Sequence, residues 1–304
     1  MITPFDLKKK SSRDGVRTLH QITPLGEWQR PVGAGSPHMK IAVLDLETTG
    51  LDPLEDEIIE VAAALIEVDE KGRIIAVKSV NSGLQQSSRP IDPQTEKITG
   101  ITNAMVTGHA LNPEKIADYL GQAEACLAFN AQFDRQHLEE LVPEVGGMPW
   151  ICAMQDVPWL ELGFDGRAQG YLLMQSGLFN PVSHRAKDDV ASLVNLLAHK
   201  CDDGRTIMSH AMENARAPSW RFEATALPFR FRKAIRRRGY AWADKHSLRH
   251  KLVRPTNYDA ELAWYRSEVG DEPSIVPVDW RDRYRADWTW APAVRKREVA
   301  AWRR

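Results

Sequence analysis

Three consecutive strand-like segments, followed by alternating helical and strand-like segments, constrain this chain of 304 residues most strongly. KIAVLDLE, residues 40–47, is a continuous apolar run typical of a buried strand. EIIEVAAALIEVD and RIIAVKSV follow it, and the turn at 69–72 predicts that these two strands pair as a hairpin beside the first. Helical and strand-like segments then alternate, which favours a mixed sheet flanked by helices. We therefore expect an α/β domain at residues 39–204.

The segments on either side of this domain have different patterns. Residues 1–38 contain Ser, Gly, Pro and scattered charges without periodicity, so we expect a flexible N-terminal extension. Residues 205–217 contain a helical stretch that we interpret as a linker. Beyond it, the order strand, helix, strand, strand, helix predicts a small β-α-β-β-α accessory domain at 218–304, whose tail shows no convincing periodicity.

Charge is distributed unevenly, although the formal net charge is only −1. Residues 39–204 contain 12 basic and 26 acidic side chains, whereas residues 216–304 contain 21 basic and 11 acidic ones. Such a division is expected when one part of a protein binds metal and the other binds phosphate groups. The alternative is that both charged surfaces are simply solvated. The motifs within 39–204 favour the first interpretation.

Cysteine usage and hydropathy indicate the compartment. The three cysteines are widely spaced and fit neither a disulfide framework nor a structural zinc site, a usage typical of the reducing cytoplasm. The basic first residues are not followed by an apolar run, so no secretory signal is predicted. No stretch approaches the roughly 18 apolar residues of a membrane helix. We expect a cytoplasmic protein that does not contact a membrane.

Acidic residues occur at three places where an α/β sheet is expected to present side chains to a cleft. Asp45 and Glu47 lie two residues apart at the end of the first strand, so both project from the same face. Asp134 falls in the first turn of a helix, and Asp189 lies in another helix five residues after His184, which is in a loop. Carboxylates gathered on an apolar sheet repel each other unless a cation neutralises them, and oxygen ligands suit divalent cations. The sequence therefore predicts a divalent-metal site.

Each of these motifs alone also has a structural explanation. An Asp-x-Glu pair at a strand end can be solvent-exposed without a functional role, and Asp134 can complement a helix dipole. Asp188 neighbours Asp189, but successive helix positions point about 100° apart, so only one of the two is well aimed. The occurrence of all three motifs together, in order and on suitable elements, favours a functional site.

Asp-x-Glu, then an Asp four residues after an Asn, then His-x4-Asp resemble the DEDDh exonuclease family, which includes proofreading epsilon subunits of bacterial replicative polymerases. The resemblance covers about residues 39–200 and selects Asp189 over Asp188. It implies a ribonuclease H-like fold and His184 as general base. The ligands that it implies for two Mg²⁺ or Mn²⁺ ions are Asp45, Glu47, Asp134 and Asp189. The residues that we expect to seat the terminal nucleotide are Thr48, Thr49, Gly50 and Ile101, with Asn130 beside them.

The function that this resemblance implies is a 3′–5′ exonuclease. Its substrate would be a single-stranded or frayed DNA 3′ end, its product a nucleoside 5′-monophosphate, and its role proofreading or repair. An RNA-trimming exoribonuclease with the same site chemistry remains an alternative, because contacts to the 2′ position decide between the two. A polymerase-associated subunit that acts mainly by protein binding is the second alternative.

Two further segments suggest partners. QSGLF, residues 175–179, resembles a pentapeptide that docks on sliding clamps. A predicted helix ends at Gly177, and Leu178 and Phe179, which follow it, are expected to pack in the core, so clamp binding is not expected. The accessory domain interleaves cations with aromatic residues, which suits single-stranded nucleic acid. The same aromatic residues could instead form a small core, as we expect for Trp242 and Trp264.

Overall fold

The structure is a computed structural model, and it describes residues 16–224, 228–242 and 249–285. Its strands are β1 (His20–Gln21), β2 (Met39–Thr48), β3 (Ile58–Val68), β4 (Ile74–Leu84), β5 (Ala125–Ala128), β6 (Trp150–Cys152), β7 (Leu178–Phe179), β8 (Ser219–Ala224), β9 (Ala241–Trp242), β10 (Arg249–Val253) and β11 (Ser274–Val278). Its α-helices are α1 (Pro93–Thr99), α2 (Asn103–Val106), α3 (Pro113–Leu120), α4 (Ala131–Leu141), α5 (Ala153–Asp156), α6 (Gln169–Gln175), α7 (Ala186–Ala198), α8 (Ile207–Arg216), α9 (Arg232–Arg237) and α10 (Tyr258–Val269). Within the described residues, every helix is too short or too polar to cross a bilayer.

A five-stranded mixed sheet in the order β4-β3-β2-β5-β6 forms the centre of the protein. β3 is antiparallel to β2 and β4, whereas β5 and β6 run parallel to β2. The predicted mixed sheet of the ribonuclease H-like type is confirmed. Because the carboxyl ends of β2, β5 and β6 meet at one edge, the residues that follow these strands come together there.

Helices cover both faces of this sheet. α6, α7 and α8 pack on one face around Ile41, Val43, Leu193 and Val194, all buried. The other face packs against α3 and α4 and includes the fully buried Trp150. Two separate apolar layers therefore hold the sheet edge that carries the acidic residues.

Helix α8 lies in the first of these layers and not between two domains. Its residues Ile207, Met208 and Ala211 are fully buried in the same core as α7. The hydroxyl of Thr206 donates to the carbonyl of Gly72 at 2.8 Å, which ties the start of the helix to the β3–β4 turn. This differs from the linker that the sequence predicted at 205–217, and the α/β unit therefore extends past residue 204.

The predicted flexible extension is also corrected where the structure describes it. β1 pairs in parallel with β7, and Ile22 and Leu25 are buried in the core. Asn195 on α7 accepts from the backbone N–H of Thr23 and donates to its carbonyl, both at 2.9 Å. This segment therefore packs on the α/β unit. The expectation for residues 1–15 lies outside the described residues.

The accessory unit is a four-stranded antiparallel sheet in the order β11-β8-β10-β9, with α9 and α10 packed on it. Its core contains Phe222, Ile235 and Tyr265, and Trp264 packs on that core as expected. The side chain of Trp242 lies outside the described residues. Strand β11, which was not predicted from the sequence, pairs with β8 and makes the unit β-α-β-β-α-β. The predicted tail without periodicity lies outside the described residues from 286 onwards.

A buried polar junction joins the two units at Asp156 on α5. Its side chain is 1% exposed, and its Oδ2 accepts from the backbone N–H of Cys152 at 2.8 Å. Its Oδ1 pairs with Arg254 and Arg283 and accepts from the hydroxyl of Tyr284 at 3.2 Å. One carboxylate of the α/β unit therefore binds three side chains that come from the accessory unit or follow it. We call Asp156 and these three partners the junction.

Candidate active site

Strand β2 brings Asp45 and Glu47 to the sheet edge. The antiparallel register places Asp45 opposite Ala62 and Glu47 opposite Glu60, and the pairing becomes irregular directly after Glu47. The spacing of two residues leaves both carboxylates on one face of the strand. Asp45 lines a cleft, and Glu47 lines a groove that adjoins this cleft at Leu46.

The other predicted site residues reach the same cleft from helices. Asp134 is in the first turn of α4 and is 3% exposed, and Asp189 is in the first turn of α7. The ligand atoms of Glu47, His184 and Asp189 lie within 4.8 Å of one another. The predicted site residues that line the cleft are Asp45, Asn130, Asp134, His184 and Asp189. We call it the acidic cleft.

The turn at His184 has an unusual backbone. Its φ of 59° lies in the left-handed region, which no other described residue except glycine occupies. Its backbone N–H donates to Oδ2 of Asp189 at 2.8 Å, and its side chain is exposed. A non-glycine residue in this region carries a strain of about 1–2 kcal/mol, so surrounding interactions have to hold it there.

Burial and mutual repulsion raise the pKa of every carboxylate in this group. Burial, and then the charges of Asp134 and Asp189, hold the pKa of Asp45 well above its usual value. Burial raises the pKa of Asp134 to about 8, against hydrogen bonds from backbone N–H groups that lower it. The pKa of Asp189 is also raised by burial, although the N–H of His184 opposes this shift.

The pKa of Glu47 is raised as well, but a neighbouring cation partly offsets the shift. Burial, followed by the charges of Asp189 and Glu60, raises its pKa to about 7, while the Arg185 guanidinium lowers it. Arg185 is itself bound by Glu60, with Nη2 and Oε1 2.8 Å apart. Its positive charge is therefore shared with another carboxylate, and the four site carboxylates are short of positive charge at neutral pH.

A divalent cation fits this donor set. Carboxylate oxygens are the ligands that Mg²⁺ and Mn²⁺ prefer, and a cation bound among them would favour the ionised forms that burial now disfavours. Asp45, Glu47, Asp134 and Asp189 could each supply such an oxygen. The arrangement can therefore bind divalent metal beside an exposed imidazole.

The residues expected to seat a nucleotide do not all lie together. Thr48 and Gly50 line the groove beside Glu47, where the Thr48 hydroxyl donates to the carbonyl of Gly50. The Thr49 hydroxyl turns away, donating to Asp56 at 3.2 Å and accepting from the N–H of Glu57 at 3.0 Å. A Cβ on Gly50 would collide with the Asp56 carboxylate, so a larger residue here would have to displace that side chain.

Ile101 is the prediction that the structure overturns. Its side chain is 0% exposed and packs with Ile59, Ile91 and Val106, so it cannot contact a nucleotide. Ile98, three residues earlier, is 51% exposed and lines the groove beside Glu47. Both isoleucines belong to KITGIT, and the left-handed turn at Gly100 lies between them.

Sequence reasoning also missed the apolar wall of the acidic cleft. Tyr171, Met174 and Val182 line it and are 45%, 43% and 43% exposed. Phe179, which was expected in the core, lines it as well and is 36% exposed, whereas Leu178 packs on the core as expected. Large apolar side chains exposed beside buried carboxylates indicate a surface that receives a ligand.

Comparison with known proteins adds a family and several relatives. The family model RNase_T, described as exonuclease, matches residues 42–197. The PolC-type DNA polymerase III of Thermotoga maritima is 38% identical over 114 residues, which are 36% of this chain and 8% of that protein. The DNA polymerase III subunit epsilon of Treponema pallidum is 28% identical over 190 residues, covering 60% of this chain and 86% of that protein. The structure of exonuclease X in complex with 5′ overhanging duplex DNA is 28% identical, with a TM-score of 0.42, over 57% of this chain and 99% of that one.

Proposed function

The chain belongs to the RNase_T exonuclease family, and from this premise we propose that it is a 3′–5′ exonuclease that releases nucleoside 5′-monophosphates from single-stranded or frayed DNA ends. The observation that carries the proposal is the convergence of Asp45, Asp134 and Asp189 in one cleft with the exposed His184. The chain matches only 8% of the length of the PolC-type relative, so the substrate is argued from the cleft itself.

The four carboxylates are proposed to hold two divalent cations, Mg²⁺ or Mn²⁺. Asp45 is the proposed shared ligand, since its pKa responds to Asp134, Asp189 and Glu47 together. Bound cations would supply the positive charge that stabilises the attacking and leaving oxygens of phosphodiester hydrolysis. Family membership implies dependence on divalent metal, and the identity and number of ions are part of the proposal.

His184 is proposed to take the proton of the attacking water. Its imidazole is exposed at the cleft, and its backbone N–H, not its ring, is the group that Asp189 binds. The ring therefore stays available for proton transfer while the turn fixes its direction. His184→Ala should lower kcat by about 10²–10⁴-fold. It should leave the Mg²⁺ affinity, measured by calorimetry, close to that of the wild type.

The side chains that line the acidic cleft favour a single-stranded substrate. Tyr171 and Phe179 offer faces on which unstacked bases can pack, and Ile98 offers an apolar contact in the adjoining groove. We further propose that the protein associates with a DNA polymerase, and the similarity to the epsilon subunit supports this proposal. A binding measurement with the polymerase of the same cell tests it.

The decisive experiment follows 5′-labelled single-stranded DNA and RNA of matched sequence, with Mg²⁺, Mn²⁺ or EDTA. We expect a ladder that shortens from the 3′ end, nucleoside 5′-monophosphate products, and no reaction in EDTA. Asp45→Asn should lower the rate by more than about 10³-fold, as expected when a ligand of a metal-assisted site is removed. Asp188→Asn, one position from Asp189, is the matched control. Faster hydrolysis of RNA would favour the exoribonuclease, and hydrolysis in EDTA would exclude the proposed chemistry.

A further inference from the structure

Glu60 is a buried carboxylate that sequence reasoning did not assign to the site. It lies on β3, directly opposite Glu47 in the β2–β3 register, and is 4% exposed. Burying a single ionised carboxylate costs several kcal/mol unless partners compensate it. An apolar residue would pack in the sheet without that cost, so the interactions of Glu60 need an explanation.

Glu60 binds the segment that connects His184 to α7. Its Oε2 accepts from Nε of Arg185 at 3.1 Å, and its Oε1 accepts from Nη2 of Arg185 at 2.8 Å. Its Oε2 also accepts from the backbone N–H of Ala186 at 3.0 Å. Three charge-assisted hydrogen bonds, two of them in a parallel fork, fix both the position and the direction of this segment.

These hydrogen bonds take the place of an ordinary helix cap. Arg185 is the residue that precedes the first turn of α7, and its side chain makes no capping hydrogen bond. Helices usually begin with a Ser, Thr, Asp or Asn whose oxygen accepts from a free N–H of the first turn. Glu60 supplies that oxygen from a neighbouring strand, and its negative charge also complements the helix dipole.

The capped end of α7 carries two of the proposed catalytic groups. His184 lies one residue before Arg185, and Asp189 lies in the first turn, where it accepts from the N–H of His184 at 2.8 Å. The left-handed backbone at His184 is therefore held from two sides, by Asp189 and by the segment that Glu60 binds. Removal of either interaction would allow the strained turn to relax and the imidazole to move.

We propose that Glu60 is a positioning residue, which holds the turn at 184–186 so that His184 and Asp189 stay aligned in the acidic cleft. The inference rests on the proposed exonuclease function. Its oxygens accept from Arg185 and Ala186, so the contacts of Glu60 point to the turn and not to a role as metal ligand. It acts through the turn and does not contact the substrate.

The test compares Glu60→Gln with Glu67→Gln. Glu67 lies on the same strand and pairs with Lys78 at 3.7 Å, so its substitution also removes one carboxylate and one ion pair, but away from the cleft. Glu60→Gln should lower kcat by about 10–100-fold, the usual cost of losing a residue that orients a metal-site group, with little change in KM. Glu67→Gln should leave both constants unchanged. Equal activity of the two variants would overturn the proposal.

A double-variant comparison separates positioning from general destabilisation. In a His184→Ala background, Glu60→Gln should reduce kcat much less than it does in the wild type, because part of its effect passes through the imidazole. The same fold-loss in both backgrounds would overturn the positioning role. Asp189 remains in both backgrounds, so a small residual loss is expected.

Amide hydrogen exchange gives a readout that does not depend on nuclease activity. Glu60→Gln should speed exchange at residues 185–190, while Glu67→Gln should not, because only the former frees the start of α7. Unchanged exchange in this segment would overturn the proposal even if the wild type hydrolyses DNA. If the wild type lacks nuclease activity but exchange changes as expected, the exonuclease assignment fails and the capping of the turn by Glu60 stands.

Discussion

Asp156 at the junction and Asp134 in the acidic cleft are both almost completely buried, at 1% and 3% exposed, but their surroundings are opposite. Asp156 binds two guanidinium groups, a phenol hydroxyl and a backbone N–H. Asp134 lies near Glu47 and Asp45, and burial raises its pKa to about 8. The same side chain is thus compensated by cations in one region, whereas in the other no cation among the described residues is paired with it.

The difference shows where the chain requires a ligand. At the junction the protein itself supplies the positive charge that compensates Asp156. Arg254 and Arg283 are far from Asp156 in the sequence but pair with it in the fold. Within the described part of the chain, Arg185 is the cation that lowers the pKa of Glu47, and Glu60 binds that arginine. A group of buried carboxylates with raised pKa values indicates a functional site more strongly than burial alone does. Metal-free and metal-bound protein should therefore differ at the cleft and not at the junction.

The largest effect is expected from breaking the junction. Asp156→Ala leaves the guanidinium groups of Arg254 and Arg283 without their carboxylate, and removing one partner of a buried ion pair typically costs about 3–5 kcal/mol. We expect a loss of this size in the free energy of unfolding, measured by urea titration. Asp118→Ala, at an exposed helix position, is the control and should change stability by less than about 0.5 kcal/mol. A change as small at Asp156 would mean that the junction contributes little to the stability of the protein.

The second prediction concerns metal at the cleft. Magnesium ions that bind the folded protein alone should stabilise it by about 2.7 kcal/mol at a concentration about 100 times the Kd. Asp45→Asn should lose most of this stabilisation, whereas Asp156→Ala should keep it, since its defect lies elsewhere. Thermal melting with a series of Mg²⁺ concentrations measures both. Equal stabilisation of the wild type and Asp45→Asn would show that the ion binds outside the cleft.

The third prediction is the pH dependence of the metal-free protein. Carboxylates whose pKa is raised in the folded state bind protons more tightly there than in the unfolded chain, so their stability contribution is complete at low pH. It is lost as pH rises through the folded values, which are about 7 for Glu47 and about 8 for Asp134. In EDTA the free energy of unfolding should fall between about pH 5 and 8, by at most about 1.4 kcal/mol per pH unit for each proton released.

Asp134→Asn is the variant that isolates this effect. It cannot ionise, so the decrease with pH should be shallower than in the wild type, and it should be the more stable protein at about pH 9. Asp156→Ala should keep the slope of the wild type, because the cleft is intact. A metal-free wild type whose stability rises between about pH 6 and 8 would contradict the raised pKa values.

Local patterns in the sequence were sufficient to predict the sheet and the residues that gather in the cleft. The apolar run that ends at Asp45, the helix after Asn130 and the helix that carries Asp189 all occur as predicted. These elements are long and periodic, so their type depends little on distant contacts. The rule that parallel strands end at the same edge then brings Asp45 and Asp134 together, whereas Asp189 was assigned to the site from the family resemblance.

The features that were not predicted depend on contacts between distant parts of the chain. β1 is two residues long and exists because it pairs with β7, and β11 contains Pro277, which weakens its strand pattern but is tolerated at the sheet edge. Helix α8 has a pattern that fits a linker helix or a core helix, and its burial against α7 and the contact of Thr206 with Gly72 distinguish them. The pairing of Asp156 with Arg283 joins residues 127 positions apart, beyond any local pattern.

The smallest effect is expected from the basic surface of the accessory unit, which α9 presents. Its exposed cations are Arg232, Lys233, Arg236 and Arg237, and none of them forms an ion pair with another described residue. Arg238, which follows the helix, is different because its Nε lies 3.2 Å from Oε2 of the buried Glu261 on α10. These four exposed cations of α9 are therefore available to a polyanion.

The aromatic residues beside these cations have mainly a structural role. Tyr240 is buried in the core of the accessory unit, as is Phe222. Phe229 is the exception, because it is 79% exposed and lies under the guanidinium of Arg232, 5.1 Å from its ring centroid. A role of this surface in binding nucleic acid therefore depends on charge more than on stacking.

Replacing Arg236 and Arg237 by Gln tests whether this surface supplies the positive charge that a polyanion needs beside an acidic cleft. If both arginines bind phosphates of single-stranded DNA, affinity should fall, and the log–log slope of binding against salt should flatten by about 0.7 for each phosphate that is no longer neutralised. The turnover number at saturating DNA should stay unchanged, because neither residue lies in the cleft. Arg266→Gln, which removes a positive charge that is paired with Glu272 on the same unit, is the control and should alter the slope less.

Substitution is a sharper test of this surface than deletion of the accessory unit. A chain that ends near residue 204 would lose α8 from the core and would leave Asp156 without Arg254 and Arg283, so poor binding could result from unfolding alone. The glutamine variants keep the junction, and their melting temperature in EDTA should equal that of the wild type. Unchanged affinity and salt slope in the double variant would mean that the cations of α9 do not hold the strand. The positive charge needed to bring DNA to the acidic cleft would then have to come from the metal ions and from cations elsewhere in the protein.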